Sequence, residues 1–307
     1  MTEEKTMAGA CIMHDAHDNE ERMYCIEKIN WDPENGFNSD IPHPAFRAGD
    51  KTKDAIYAAQ YQAINIGGHA RSLPGMTPMT FVNYDDAKKM CEAKGRGWHL
   101  LTQAELHAIA LIAMRDGTIP LGNTNRCKSH SNPDIIGIPA NSDKDMWLTG
   151  SGGPLTSHNH KDGIYDLVGN INEWIDGYKL QDNRLAVNSF MQDGVFIPDN
   201  DFTRDEKTWP DFTAPVTPTN RYKDLNLQGR ESKEVVKALR SIGLLPMPEQ
   251  QYGDDYAYIS DCGGERLPFF GGDWVGTSDA GLFALNLYYA RTGTDYYIGF
   301  RFAYGDL

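Results

Sequence analysis

The chain has 307 residues, 40% hydrophobic and 23% charged, which excludes general disorder and allows a core that needs no covalent cross-links. Its 43 acidic and 29 basic residues give a formal net charge of -14, which disfavours phosphate backbones and anionic membrane surfaces as partners. We therefore expect no nucleic-acid partner. We also expect no membrane insertion, because the most apolar stretch, residues 106–114, is too short to span a bilayer.

The first 42 residues are polar and acidic, and we expect them to form a solvated arm before an ordered domain over residues 43–307. The N-terminus lacks the basic start and apolar run of a secretory signal, so we expect synthesis in the cytoplasm.

Five cysteines lie far apart and show no Cys-x-x-Cys pair, which argues against a zinc ribbon or a thioredoxin-type site. One or two disulfides and reduced, partly buried thiols are both compatible with this pattern. The cysteines are Cys11, Cys25, Cys91, Cys127 and Cys262.

The first predicted elements are a strand and a helix. Residues 56–64 combine β-branched and aromatic side chains, as is typical of a strand. Asn83 is a suitable N-cap, with Asp86 in the first turn, and Gly95 is expected to end the helix.

A second helix is predicted from the capping box that Thr102 and Glu105 form, and it should end near Gly117. Residues 178–258 are polar and rich in turns, with one further helix over 232–239. We interpret them as a long insertion packed on the main domain.

Three segments, taken in order, resemble the formylglycine-generating-enzyme branch of the C-type-lectin-like fold. In that branch the middle motif pairs tyrosine-aspartate, glycine-asparagine and glutamate-tryptophan, and the last motif reads glycine-phenylalanine-arginine. The resemblance implies an α+β fold with short strands, two main helices and many loops. The segments are residues 83–106, Gly163-Ile164-Tyr165-Asp166-Leu167-Val168-Gly169-Asn170-Ile171-Asn172-Glu173-Trp174, and Gly271-Gly272-Asp273-Trp274 with Ile298-Gly299-Phe300-Arg301.

The middle motif also makes physical sense as a framework. Gly169-Asn170 suits a tight turn with positive φ, Tyr165 and Trp174 offer large areas to bury, and a buried Glu173 needs a partner. In the enzyme branch this turn often binds calcium, and Asn170 and Glu173 match its ligands. A calcium site and a purely structural hydrogen-bond cluster are therefore two alternatives, and we expect no other cofactor.

The resemblance does not extend to the chemistry of the enzymes. They hold copper with a cysteine pair shortly before the last motif, whereas residues 287–295 of this chain contain no cysteine, and Cys262 has no cysteine near it. We therefore predict no catalytic residues and no enzymatic activity. The alternatives are a metal-dependent, oxidase-like enzyme with altered chemistry and a purely structural particle protein.

Residues 271–301 resemble, more narrowly, the variable region of target proteins of diversity-generating retroelements. In such systems miscopied template adenines rewrite the end of the gene, usually at asparagine codons. The resemblance implies a framework of Trp274, Leu285, Leu287, Ala290, Ile298 and Phe300. It implies that the variable, ligand-binding positions are Val275, Gly276, Ala284, Asn286, Tyr288, Tyr289, Gly293, Asp295, Tyr296 and Tyr297, with Asp273 and Asp279 at the margin.

The residue pattern supports this interpretation independently. Phe283, Leu285 and Leu287 alternate with polar or small residues, as in a strand with one buried side and one presented side. Tyrosine gives a large contact area at low side-chain entropy cost, which suits recognition. The alternative is that the tyrosines pack in the core, but the pairs 288–289 and 296–297 cannot all point inward from extended strands. We expect a protein or surface ligand, bound at a virion or cell surface.

Overall fold

The computed structural model describes residues 8–193, 195–229, 231–259 and 263–306. Three α-helices and twenty short strands are assigned there, an α+β composition as predicted. The helices are α1 (Tyr84–Glu92), α2 (Gln103–Arg115) and α3 (Lys233–Ser241). The strands are β1 (Gly9–His14), β2 (Glu20–Glu27), β3 (Arg47–Ala48), β4 (Lys51–Thr52), β5 (Ala55–Ala59), β6 (Ile64–Ile66), β7 (His69–Arg71), β8 (Trp98–Leu100), β9 (Asn172–Trp174), β10 (Tyr178–Gln181), β11 (Arg184–Val187), β12 (Ser189–Gln192), β13 (Val195–Pro198), β14 (Asp211–Pro215), β15 (Ala257–Tyr258), β16 (Glu265–Arg266), β17 (Phe269–Phe270), β18 (Leu285–Asn286), β19 (Ile298–Phe300) and β20 (Phe302–Tyr304).

The first sheet has the strand order β1-β2-β5-β20-β8 and so brings residues 9–27 together with residues 302–304. Strand β2 pairs with β5, with Cys25 opposite Tyr57, and β20 lies between β5 and β8. Residues 9–14 and 20–27 are therefore sheet strands, and the expectation of a solvated arm over residues 1–42 was wrong for this segment. Its polar residues misled the prediction because β1 is an edge strand and Glu21 is buried against Lys94 and Arg71.

The second sheet, in the order β15-β18-β17-β9-β19, carries the C-terminal segment. Strand β9, which holds the Glu173-Trp174 pair, runs parallel to β19 and antiparallel to β17. Because β18 pairs with β17 on one side and with β15 on the other, the C-terminal segment contacts the end of the predicted insertion.

Both predicted helix starts are confirmed. The Asn83 side chain accepts from the backbone N–H of Asp86, and Thr102 and Glu105 form a complete capping box at α2. Helix α1 ends at Glu92 rather than reaching Gly95, and α3 begins after its N-cap Ser232. No helix in the described part of the chain is long and apolar enough to cross a membrane.

Two hydrophobic clusters tie these parts together. The larger contains side chains of α2, of the first sheet and of residues 178–258, including Ile109, Ile56 and Leu180. The smaller joins both sheets through α1, with Tyr84 and Trp174 fully buried. The insertion therefore packs directly on the main core.

The thiols of Cys11, Cys25, Cys91 and Cys127 are free, and Cys262 lies outside the described residues. Burial raises the pKa of Cys91 well above its ordinary value, so this thiol is an inert core side chain.

Candidate ligand-binding surface

The two tyrosine pairs flank strands of the second sheet, and buried residues hold them in place. Tyr288-Tyr289 follow β18 directly after the buried Leu287, and Tyr296-Tyr297 precede the buried Ile298 of β19. Trp274, Leu285 and Phe300 are buried as well, so these predicted framework residues do face the core. Ala290 does not, because it is exposed, and the neighbouring Arg291 anchors this segment instead.

In each pair one ring faces solvent and the other packs against the fold. The side chains of Tyr288 and Tyr296 are each 55% exposed, whereas Tyr289 and Tyr297 are half-buried and contact the core that joins the two sheets. The rings within each pair meet edge to face, with centroids 5.0 Å apart at Tyr288–Tyr289 and 5.2 Å apart at Tyr296–Tyr297. The inner rings thus fix the positions of the outer ones.

A hydrogen-bond chain connects the two pairs through Asp295. The Tyr289 hydroxyl donates to Oδ2 of Asp295 at 2.6 Å, and the hydroxyls of Tyr289 and Tyr297 lie 3.2 Å apart. Since Tyr289 donates to the carboxylate, its oxygen is left to accept from Tyr297. Burial, followed by the hydrogen bond that each hydroxyl donates, raises the pKa of both phenols, which therefore stay protonated at neutral pH.

Three aromatic residues outside the predicted variable region extend this row. Tyr258 lies 5.7 Å from Tyr288 between ring centroids, and Tyr256 stacks beside Tyr258 at 6.1 Å. At the other end Phe81, 67% exposed, lies 6.5 Å from Tyr296. We name the continuous row the aromatic surface: Tyr256, Tyr258, Tyr288, Tyr289, Tyr297, Tyr296 and Phe81.

Sequence reasoning missed these three residues for different reasons. Tyr256-Ala257-Tyr258 has the alternation of a strand with one side facing solvent. This short pattern was overlooked because it lies in the polar, turn-rich residues 178–258. Phe81 has a positive φ of 58°, and its backbone N–H donates to the carbonyl of Asp295. Nothing local in the sequence indicates that contact.

Of the remaining predicted variable positions, Val275 is 49% exposed, and Gly276, Asn286 and Gly293 are half-buried. A Cβ at Gly293 would lie 2.6 Å from Cδ1 of Tyr289, so a side chain there requires that ring to move.

The prediction of Ala284 as a ligand-binding position was wrong, since this residue is only 4% exposed and cannot present a side chain to a ligand. The alternation fails there because the N–H of Ala284 bonds to the carbonyl of Gly281, which makes residues 281–284 a turn. Strand β18 begins only at Leu285.

The two marginal aspartates hold the backbone in place. Oδ1 of Asp273 accepts from the N–H of Val275 at 2.9 Å, and burial raises the pKa of this carboxyl. Asp279 forms an ion pair with Arg221 of the insertion.

Arg291 fastens the loop between the tyrosine pairs. Its guanidinium donates through Nε and Nη2 to both oxygens of Glu265, at 3.0 and 2.9 Å, and through Nη1 to Asp85 at 2.8 Å. A third carboxylate, that of Glu206, lies 2.7 Å from Nη2. Arginine forks and several carboxylates make a rigid arrangement, so the aromatic surface rests on a fixed support.

The residues predicted to hold calcium do not fit that ion. The Glu173 carboxylate accepts two hydrogen bonds from Arg301 and one from Gln62, and all three side chains are buried. Oδ1 of Asn170 accepts from Asn123 and from the backbone N–H of Trp147. Calcium requires six to eight oxygen ligands with free lone pairs. The arrangement matches the alternative, a structural hydrogen-bond cluster, and the turn has the predicted positive φ at Gly169 and Asn170.

Residues 59–211, just under half of the chain, match the family described as the sulfatase-modifying factor enzyme 1-like domain. This match agrees with the predicted formylglycine-generating-enzyme type of fold in that region. No curated protein matches the chain.

Three solved structures are distantly similar to the chain. Variable protein 1 of Treponema denticola is 13% identical, with a TM-score of 0.45 over 96% of this chain and 98% of that one. The M1 variant of the Major Tropism Determinant is 11% identical, with a TM-score of 0.37 over 98% and 73%. PvdO from Pseudomonas aeruginosa is 13% identical, with a TM-score of 0.30 over 98% and 99%.

Proposed function

We propose that this chain, of which residues 59–211 match a sulfatase-modifying factor enzyme 1-like domain, is a ligand-binding protein that recognises its target with the aromatic surface. The observation that carries the proposal is that each tyrosine pair has one solvent-exposed ring and one half-buried ring. Tyr288 and Tyr296 project into solvent, while Tyr289 and Tyr297 pack beneath them and are linked by hydrogen bonds.

Such a surface is suited to recognition for two physical reasons. Exposed tyrosine rings supply contact area and a hydrogen-bonding tip with little entropy to lose, and a pre-formed support lowers the ordering cost of binding. The support is independent of the exposed rings, because Arg291, Leu287 and Ile298 are held by the core and by carboxylates. Changes at Tyr288 or Tyr296 therefore alter the binding surface and leave the fold in place.

The proposal includes diversification of this surface by a retroelement, with the protein acting on a virion or cell surface against a protein or other surface ligand. Support comes from the resemblance of residues 271–301 to variable regions and from the exposure of Val275, Tyr288 and Tyr296. The role is binding rather than catalysis, since the segment that holds the copper-binding cysteines in the related enzymes here carries Tyr288 and Tyr289.

Sequencing the few kilobases of DNA around the gene tests the diversification. We expect a reverse-transcriptase gene and a near-copy of the codons for residues 271–301 that differs almost only at adenines. A complete neighbourhood with neither feature would remove diversification from the proposal.

A further inference from the structure

A cavity of about 230 Å³ lies between residues 280–283, the loop at 119–124 and the end of the insertion. Its mouth is formed by the exposed residues Ile119, His130 and Gln251. Its walls are mainly apolar and include Met114, Leu121, Val168, Leu282 and Phe283. The volume lies below the range of about 300–1,000 Å³ that is usual for drug-sized ligands, so only a small molecule fits.

One carboxylate, that of Asp255, enters this apolar cavity. Its Oδ2 accepts from the backbone N–H of Phe283 at 2.8 Å, which is the one hydrogen bond to this carboxylate from the described residues. The carboxyl lies directly over Gly281, where an added Cβ would come within 2.0 Å of Oδ1. Glycine at this position therefore leaves the space that the carboxylate occupies.

We propose that this cavity binds a small molecule with an apolar body and one ammonium group, which donates to the Asp255 carboxylate. The Asp255 carboxylate is half-buried and has a single neutral donor among the described residues, so its charge is poorly compensated. An ammonium group supplies a charge-assisted hydrogen bond to it. The apolar walls then cover the rest of the ligand.

The surrounding charges favour a cation over an anion. Of the described residues that line the cavity, none is lysine or arginine, and Asp255 is the one carboxylate. The carboxylates of Asp254 and Asp279, outside this lining, are already paired with Lys223 and Arg221. His130 lines the mouth, and its Nδ1 is 2.8 Å from the Thr124 hydroxyl. Burial, with a smaller contribution from the charge of Asp254, raises the pKa of Asp255 to about 7.

Benzylamine tests the site, with benzyl alcohol and benzoate as probes of nearly the same shape. The full chain is titrated with each probe at pH 8 and followed by NMR chemical shifts. We expect saturable binding of benzylamine at least tenfold tighter than that of benzyl alcohol, and no binding of benzoate. Equal affinity for benzylamine and benzyl alcohol, or no saturable binding of benzylamine, would overturn the proposal.

Asp255→Asn is the matched variant, because asparagine keeps an oxygen for the Phe283 N–H and removes only the charge. We expect it to lose at least tenfold in benzylamine affinity, while Asp254→Asn, at the exposed neighbouring position, keeps wild-type affinity. Unchanged binding by Asp255→Asn contradicts the proposal. That result would not bear on the proposed role of the aromatic surface, since this inference does not rest on the proposed function.

Discussion

Arg301 and Glu173 form a fully buried ion pair with two hydrogen bonds between the guanidinium and the carboxylate. Nε of Arg301 lies 2.9 Å from Oε2 of Glu173, and Nη2 lies 2.9 Å from Oε1. The remaining guanidinium donors reach the carbonyls of Ala59 and Tyr165. The pair thus joins the glutamate-tryptophan and glycine-phenylalanine-arginine motifs, whose strands β9 and β19 run side by side.

Breaking this pair from one side should strongly destabilise the protein. Glu173→Gln leaves the Arg301 charge buried without its counter-charge, and loss of one partner of a buried pair costs about 3–5 kcal/mol. The free energy of unfolding from urea denaturation measures the loss. Lys28→Met is the control, since it breaks an exposed pair with Asp54 and should cost less than about 1 kcal/mol.

The inner and outer tyrosines should differ in their effect on stability. Tyr288→Ala and Tyr296→Ala remove exposed rings and should each change the unfolding free energy by less than about 1 kcal/mol. Tyr297→Ala removes a ring that packs on Trp274 and Ile171, and should cost about 2–3 kcal/mol. Equal losses from Tyr288→Ala and Tyr297→Ala, measured by the same denaturation, would show that the outer rings belong to the core.

Ala284 and Asn286 should respond differently to the same new side chain. Ala284→Tyr forces a ring into a buried turn and should cost about 3 kcal/mol, whereas Asn286→Tyr places it at a half-buried strand position and should cost about 1 kcal/mol. Thermal unfolding followed by circular dichroism compares the two variants. A wild-type melting temperature for Ala284→Tyr would restore Ala284 to the variable positions.

Asp255 should make the protein less stable as the pH rises from about 4 to about 7. Its folded-state pKa of about 7 lies above the ordinary value of 3.8, so the folded state binds more protons in that range, and deprotonation favours unfolding. Asp166, with a pKa raised to about 6, acts in the same direction, whereas the buried His107, with a pKa lowered to about 3, acts in the opposite one. The difference in unfolding free energy between wild type and Asp255→Asn isolates the contribution of the Asp255 carboxyl.

We expect that difference in unfolding free energy to change by up to about 1.4 kcal/mol per pH unit between pH 4 and 7. A difference that stays constant with pH would mean that Asp255 titrates at its ordinary value.

Local signals predicted much of this fold. The caps at Asn83 and Thr102 and the turn at Gly169-Asn170 depend on neighbouring residues, and all three are present. The strand β2 was missed because the burial of Glu21 depends on Lys94, a partner 73 residues away. Contacts of that range cannot be inferred from one sequence.

The sequence predicted the central tyrosines of the candidate site but not all of the residues at its edges. The exposure of Tyr288 and Tyr296 follows from the pairing of tyrosines beside buried leucine and isoleucine. Phe81 and Tyr258 join the surface only through tertiary contacts, and Ala284 leaves it because a turn replaces the expected strand.

The most direct test of the central claim is to sequence this gene from many individuals of one grown population. We predict that the codons vary at exposed positions such as Val275, Tyr288 and Tyr296, and remain constant at Leu287, Ile298 and Arg301. A population without such variation, or with variation spread equally over the buried framework, would contradict the claim that this surface is diversified for binding.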